Sequence, residues 1–251
     1  MNKIGIIAKT AVRRCVNAVG YDIVRYDHNN ARTRLARLLL RHHIGMVLDV
    51  GANRGDFGWN IRELGYRGKI VSFEPLQEPF LCLQSATRDD PVWQAVNVGL
   101  GNYNERRVIH VAANSQSSSL LPMLDTHVQA APESRYDGEE LVTIRRLDDI
   151  VKDYRRSDEA IFLKVDAQGF ERNIIVGARE TLSVVPLVQL ECSFIALYEG
   201  GDLVESLIER MRELGYDPID TFPVFYHRGN GHLMQPDILF LRRDSASLYQ
   251  Q

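Results

Sequence analysis

Val47-Leu48-Asp49-Val50-Gly51-Ala52-Asn53-Arg54-Gly55 is the stretch on which the fold turns. Val47, Leu48 and Val50 make a short apolar run, the mark of a strand buried on both faces. Gly51 opens a tight turn, and a helical pattern starts after Gly55. The two glycines let the backbone approach a ligand where a Cβ would clash. In an open α/β sheet, ligands bind at the carboxyl ends of the strands, beside the switch in strand order, and this turn belongs there. Its spacing is Gly-x-x-x-Gly, so it is not the G-x-G-x-x-G of a dinucleotide site.

Outward from this turn, strand-like runs alternate with helical ones. Strands are predicted at 46–50, 69–73, 92–98, 161–165 and 187–192, and helices at 56–64, 77–87, 171–182 and 203–214. The last helix has an Asp202/Glu205 capping-box spacing and stops at Gly215. Such alternation implies a parallel sheet wound on both faces. Runs at 218–226 and 237–243 have no helix between them, so they read as an antiparallel hairpin turned by Arg228-Gly229-Asn230-Gly231. Residues 106–150 break the rhythm: a short strand at 106–112, a serine-rich loop at 114–119, and a Pro-, Gly- and charge-rich segment at 129–140 expected to be mobile. The sequence shows no repeat and no interdomain linker. The expected architecture is one α/β, doubly wound, mostly parallel domain over 46–251, preceded by an N-terminal helical extension over 1–45.

Two acids sharpen the choice of ligand. Asp49 stands directly before the glycine turn, and Glu74 ends the second strand. An acid at the second position accepts both ribose hydroxyls of a nucleoside. An acid beside the turn suits a ligand with a positive group there and repels a pyrophosphate. Together they favour S-adenosyl-L-methionine over NAD; a structural turn with incidental acids is the plain alternative. The candidate cofactor residues are Asp49, Gly51, Asn53 and Gly55, then Glu74 and Leu76, then Asn97 and Val98. Asn97-Val98-Gly99-Leu100-Gly101 is placed to flank an adenine ring and serves equally well as a structural turn.

With Phe162-Leu163-Lys164-Val165-Asp166-Ala167-Gln168-Gly169-Phe170-Glu171 added, the sequence resembles the FkbM-type methyltransferases, a family of S-adenosylmethionine-dependent O-methyltransferases. The resemblance also rests on Asp49-Val50-Gly51-Ala52-Asn53, Ser72-Phe73-Glu74-Pro75, Leu147-Asp148-Asp149 and Asp237-Ile238-Leu239-Phe240, and it runs over roughly residues 46–243. It implies a seven-stranded, Rossmann-like class I methyltransferase sheet. It also implies a transferase that methylates a hydroxyl of a sugar in a glycan, polysaccharide or glycolipid. A polyketide or other secondary metabolite is the alternative acceptor. An NAD-dependent oxidoreductase, or a non-catalytic partner protein that keeps the cofactor pocket, are the alternatives from other classes.

Methyl transfer to an alcohol is an in-line displacement in which positioning supplies much of the acceleration. A protonated hydroxyl is a poor nucleophile, so a general base or a metal should help. Asp166 after the fourth strand, Glu191 after the fifth and His227 between the last two are the catalytic candidates. Each has a plain alternative: Asp166 as a helix cap or partner of the methionine ammonium, Glu191 as an arginine partner, His227 as a turn residue. Asp166 and Glu191 are expected to face one another and flank the acceptor hydroxyl, since neighbouring strands lie about 4.8 Å apart. No close metal-ligand spacing occurs, so no metal is predicted; Asp166, Glu191 and Asp237 would meet on Mg2+ only through the fold. The segments 114–119 and 129–140 are expected to cover the acceptor.

Composition bounds the rest. The chain has 251 residues, 45% of them hydrophobic, with 30 Lys+Arg against 33 Asp+Glu and a net charge of −3, which argues against a dedicated nucleic-acid binder. No apolar run approaches the roughly 18 residues of a membrane span. Cys15, Cys82 and Cys192 are odd in number and far apart, which excludes a disulfide framework and points to a reducing cytoplasm. The start lacks the pattern of a signal peptide. Residues 3–19 read as an amphipathic helix with Lys3, Lys9, Arg13 and Arg14 on its basic face. That helix suits packing on its own domain or a homodimer partner, or else contact with an anionic membrane surface. A second helix over 31–43, capped by Asn30, turns Leu35, Leu38 and Leu39 inward and Arg32, Arg34, Arg37 and Arg41 outward.

Overall fold

The computed structural model describes residues 16, 18, 31–156 and 159–246. The helix expected over 3–19, with its basic face, lies almost wholly outside them, as does the Asn30 cap. Helix α1 (Ala31–Arg41) leads into β1 (Ile44–Val50), α2 (Asp56–Glu63), β2 (Lys69–Phe73), α3 (Gln77–Thr87) and β3 (Trp93–Val96). An insertion follows: β4 (Gly99–Leu100), β5 (Glu105–Ala112), α4 (Asp125–Ala130) and β6 (Tyr136–Arg145). The chain then returns through α5 (Leu147–Ile150) to β7 (Ala160–Val165), α6 (Glu171–Gly177), α7 (Arg179–Leu182), β8 (Leu187–Glu191), α8 (Val204–Glu213), β9 (Tyr216–Tyr226), β10 (Leu233–Arg242) and α9 (Arg243–Ala246).

Seven strands form one sheet in the order β3-β2-β1-β7-β8-β10-β9, and β4-β6-β5 form a second, small one. Every neighbour in the large sheet is parallel except β10, which runs antiparallel to β8 and β9. The chain winds outward from β1 to β3 and then crosses back to β7, so the switch point lies between β1 and β7. Both faces are covered. Met46, Leu48 and Val50 join the core under the later helices, with Ile174, Leu182 and Leu207. Val47 joins Leu35, Leu39, Ile61 and Leu83 on the opposite face. Period-two alternation with both faces apolar is why β1 reads as a hydrophobic run interrupted only by Gly45 and Asp49. Among the described residues no helix is long and apolar enough to cross a membrane.

Four local expectations are corrected. The helix over 171–182 breaks at Ala178 into α6 and α7, where Gly177 meets the Gly101 carbonyl so closely that a Cβ would collide with it. The last long helix begins at Val204 with Leu203 as N-cap and no side-chain cap; Asp202 instead faces Arg172 at 3.5 Å. Arg34 does not point to solvent but pairs with Asp220 of β9 through Nε and Nη2 at 2.6 and 3.0 Å. Residues 129–140 are not a free segment. They form the end of α4, a 3-10 turn at Pro132–Ser134 and the start of β6, which pairs with β5 along its length.

The glycine turn is the tightest point of the fold. Gly51 N and Ala52 N both donate to Phe73 O at 3.1 Å, and Asp166 N donates to Val50 O at 3.1 Å. Gly51 has φ +72°, and a Cβ there would fall inside the Asp166 carbonyl oxygen. Gly51→Ala should therefore lower stability by at least about 2 kcal/mol, through strain and forced separation of β1 from β7. A urea midpoint equal to that of the parent would show that the two loops do not touch.

Candidate active site

A cavity of about 530 Å³ opens at the carboxyl ends of the central strands, within the range of small-molecule sites. Gly51, Asn53, Glu74, Asp166, Gln168 and Glu191 all line it. The insertion closes it: Asn114 to Ser119, His127 and Glu133 all line the same space. Contacts stitch this cover down. Ser119 Oγ donates to Gln168 O at 2.7 Å, Leu124 N to Leu197 O at 2.9 Å, and Glu199 N to Pro122 O at 2.8 Å.

Glu74 is buried and anchors two loops. Its Oε2 accepts Asn53 N at 2.8 Å and its Oε1 accepts Leu76 N at 2.9 Å. Burial pushes its pKa up to about 7, against the pull of those two amides. Asn53, held at φ +47°, also reaches Ser115 Oγ with its Nδ2 at 3.2 Å, tying the glycine turn to the insertion. Each Glu74 oxygen keeps a second lone pair for a hydroxyl donor.

The other proposed cofactor residues stand elsewhere. Asp49 is fully buried and is not in the cavity wall; its Oδ2 accepts Ser72 Oγ at 2.9 Å and its Oδ1 faces Lys164 Nζ at 3.4 Å. Gly55 caps α2 at φ +96° and rests on Leu83 and Trp93. Leu76 offers its backbone N–H to Glu74 and buries its side chain with Ile109, Val142 and Ile144. Asn97 donates Nδ2 to the carbonyls of Glu74 and Pro75 at 3.0 and 3.1 Å, so it braces the turn. Val98 packs on the core, and the cavity wall begins at Gly99 and Leu100.

Asp166 and Glu191 do meet, through a residue absent from the candidate set. Gln168 Nε2 donates to Asp166 Oδ1 at 2.9 Å and to Glu191 Oε2 at 2.6 Å. Its Oε1 accepts the Tyr198 hydroxyl at 2.7 Å, which fixes the orientation of the amide. Gln168 sits at φ +53°, a left-handed conformation imposed by the turn after β7. Gln235 Nε2 adds a second donor to Glu191 Oε2 at 3.0 Å. Lys164 Nζ lies 3.3 Å from Asp166 Oδ2. Burial opposes its charge, but Asp166, Asp49 and Asp237 outweigh that and hold the ammonium protonated. Burial, then Asp166, Asp237 and Glu171, push Glu191 well above the carboxylate range, with Lys164 opposing. Burial and then Asp166 raise Asp237 to about 6; its Oδ2 accepts Gln189 Nε2 at 2.8 Å. Among the described residues no group of three His, Cys, Asp or Glu side chains has the arrangement of a metal site.

The third catalytic candidate is not brought to the cavity. His227 lies in the β9–β10 turn, where its Nδ1 accepts Gly229 N at 2.9 Å and Asn230 N at 3.4 Å. Another histidine is there instead. His127 of α4 is only 3% exposed, lines the cavity, and lies 5.1 Å from the Tyr198 ring and 5.4 Å from the Phe225 ring. Its signal in the sequence is faint: Leu124, His127, Val128 and Ala131 at helical spacing between Pro122 and Pro132.

Comparison with known proteins identifies the family and the fold. The sequence profile of the methyltransferase FkbM domain matches residues 49–218. The chain is 26% identical over 186 residues to the 2-O-methyltransferase NoeI of Sinorhizobium fredii (strain NBRC 101917 / NGR234), covering 71% of this chain and 74% of that one. The crystal structure of methyltransferase FkbM from Methylobacillus flagellatus KT superposes with a TM-score of 0.50 at 16% identity, a likeness of fold. That match covers 78% of this chain but 43% of the other, so the chain spans less than half of that structure's length.

Glu171 gives this site a pH signature. It is buried, and its Oε1 accepts Ala167 N at 2.9 Å and Gly169 N at 3.2 Å, holding the turn that carries Asp166 and Gln168. Burial raises its pKa from 4.5 to about 7. The folded state thus holds a proton that the unfolded chain has already lost. The stability this gives is complete below about pH 4.5 and is lost as pH rises through 7. In urea unfolding, the stability of Glu171→Gln relative to the parent should rise by up to about 3 kcal/mol across that window. A difference independent of pH would show that Glu171 titrates alike in both states.

Proposed function

The chain belongs to the FkbM methyltransferase family, and from that we propose that it transfers the methyl of S-adenosylmethionine to a hydroxyl of a sugar in a glycan, polysaccharide or glycolipid. The observation that carries this reading is the Gln168-bridged acid pair in the wall of the cavity that Gly51 and Glu74 line. The relative named as a 2-O-methyltransferase supports a hydroxyl as the acceptor group.

The residues present suit the cofactor. Glu74 offers free lone pairs on both oxygens for a vicinal diol, and the turn at Gly51 brings backbone to the cavity without a side chain in the way. Acids surround the cavity floor, which disfavours the pyrophosphate of NAD. When bound, S-adenosylmethionine supplies an electrophilic sulfonium methyl. The chain's task is to hold the acceptor hydroxyl in line and to take its proton.

Glu191 suits that proton better than Asp166 does. Both Asp166 oxygens are engaged, Oδ2 by Lys164 and Oδ1 by Gln168. Glu191 receives both of its amides on Oε2, and no donor among the described residues reaches Oε1. Burial and the like charges of Asp166 and Asp237 also raise its affinity for a proton above that of an ordinary carboxylate, the direction a proton acceptor needs.

Two variants and a labelling experiment test this. Glu74→Ala should weaken S-adenosylmethionine binding by about 1.5–3 kcal/mol in calorimetry; unchanged affinity would reject its place at the ribose. Glu191→Gln should cut kcat about 100-fold and remove the limb of the pH profile that rises as Glu191 loses its proton, with cofactor affinity kept. A kcat within a few-fold of the parent would make the pair structural. Mass spectrometry of acceptor extracts incubated with isotopically labelled cofactor should find the label on a sugar hydroxyl. Label on a phenol or polyketide instead would favour the secondary-metabolite reading.

A further inference from the structure

Tyr198 lies in the loop between β8 and α8, buried and outside the cavity wall, yet its hydroxyl reaches the centre of the site. It stands 2.7 Å from Gln168 Oε1 and 3.0 Å from Ser117 O of the cover. We propose that Tyr198 is a positioning residue of the acid pair: its one hydroxyl proton, which the cover shares through Ser117, keeps the Gln168 amide turned toward Asp166 and Glu191, and so supplies Glu191, read above as the base, with a hydrogen-bond donor.

Three observations carry it. First, the protons can be counted. A hydroxyl donates once, and among the described residues no other donor reaches Gln168 Oε1 or Ser117 O. Gln168 Nε2 spends its two hydrogens on Asp166 and Glu191. Both hydrogens and the oxygen of the amide are engaged only in this orientation; turned over, the oxygen would face two acids. Gln168 itself lines the cavity. An amide that lost the Tyr198 proton could swing out and hydrate its oxygen there, and Glu191 would lose its 2.6 Å donor.

Second, Tyr198 remains a donor across the working range of pH. Burial, then Tyr136 and the acids Glu191, Glu171 and Asp166, push its hydroxyl well above the ordinary tyrosine value. Third, the surroundings fix the ring. Gly169, at φ +93°, gives it room: a Cβ there would stand 3.0 Å from Tyr198 Cβ. The His127 ring meets it edge-on at 5.1 Å, and Met123 bridges its backbone. Gln168 and Gly169, neighbours in one turn, thus both serve the same tyrosine.

The consequence falls on Glu191. Asp166 at the end of β7, Asp237 of β10 and Glu171 of α6 raise its proton affinity, and Lys164 opposes them. The amides of Gln168 and Gln235 are its hydrogen-bond donors, and donors favour the ionised carboxylate. Removing the Tyr198 hydroxyl leaves every one of these charges in place and weakens one donor. Glu191 should then keep its proton to higher pH.

Carbon-13 NMR of the full chain, labelled at the glutamate carboxyls, reads this without acceptor or cofactor. The Glu191 signal is assigned by its loss in Glu191→Gln. In Tyr198→Phe its titration midpoint should rise by about one pH unit. Gln168→Met should raise it likewise, and adding Tyr198→Phe to that variant should add nothing, since the tyrosine acts through the amide. An unmoved midpoint in folded Tyr198→Phe would reduce the ring to filling space and overturn the assignment, as would shifts that add in the double variant. Where Tyr198→Phe fails to fold, the parent still decides. Its Tyr198 hydroxyl proton should exchange slowly and change its resonance at the Glu191 midpoint; a resonance flat across that titration overturns the assignment. Calorimetry with S-adenosylhomocysteine separates the two readings. A midpoint that moves in a chain with no affinity for that ligand upholds the positioning role and rejects the cofactor reading, and binding with an unmoved midpoint does the reverse.

Discussion

A single buried ammonium organises this molecule. Lys164 Nζ stands between Asp49 and Asp166, at 3.4 and 3.3 Å, with Asp49 wholly out of solvent. Strand register puts Ser72, Asp49, Lys164 and Gln189 side by side on β2, β1, β7 and β8. Trp93 Nε1 donates to Ser72 Oγ, Ser72 to Asp49, and Gln189 to Asp237, so a polar row crosses the middle of an apolar sheet. Burying charge is tolerable only where partners and hydrogen bonds meet it, and removing one partner of such a pair typically costs about 3–5 kcal/mol. A slip of one residue in β7 would drive Lys164 into the opposite apolar core. The row therefore fixes register as well as charge.

That row also explains what the sequence discloses and what it conceals. Side chains two apart on a strand share a face. Asp49/Gly51, Ser72/Glu74, Lys164/Asp166 and Gln189/Glu191 each place a buried polar residue two positions before a rim residue. The rim members were legible because a strand end beside a glycine turn is where ligands sit, and Glu74, Asp166 and Glu191 do line the cavity. Their inner partners were not, because their meaning depends on pairing across strands. Asp49 reads as a ligand-facing acid until register sets Lys164 beside it. Gln168 lies within the Asp166–Glu171 motif, yet its bridge to Glu191 spans 23 residues of chain.

The insertion was the least legible part for a different reason. Helix α4 has six residues and starts without a side-chain cap. Strand β6 opens with Asp137, Glu139 and Glu140, and only Val142 and Ile144 of its later half are buried apolar residues. Half-buried edge structure with a charged outer face has little periodic signal to detect. What orders it is long-range: Met123 bridged to Tyr198, and Tyr136 Oη bonded to Leu121 O at 2.8 Å. The same distance along the chain hid His127, while the visible histidine, His227, is occupied by its own turn.

Environment separates the two central acids more than their identity does. Asp166 has the lysine and one amide hydrogen of Gln168; Glu191 has two amides, deeper burial, and the field of Asp166, Asp237 and Glu171. Two carboxyls with environments that differ this much are the arrangement in which acid and base roles can divide, as the proposed mechanism requires. Gln168 makes the division possible, because an amide donates one hydrogen to each acid and adds no charge, whereas a carboxylate there would repel both. Around one ammonium stand Asp49, Asp166 and Asp237, with Glu191 beyond, so the floor of the cavity favours positive charge. A floor of that sign suits a cationic methyl donor and disfavours anionic ligands beside the acid pair.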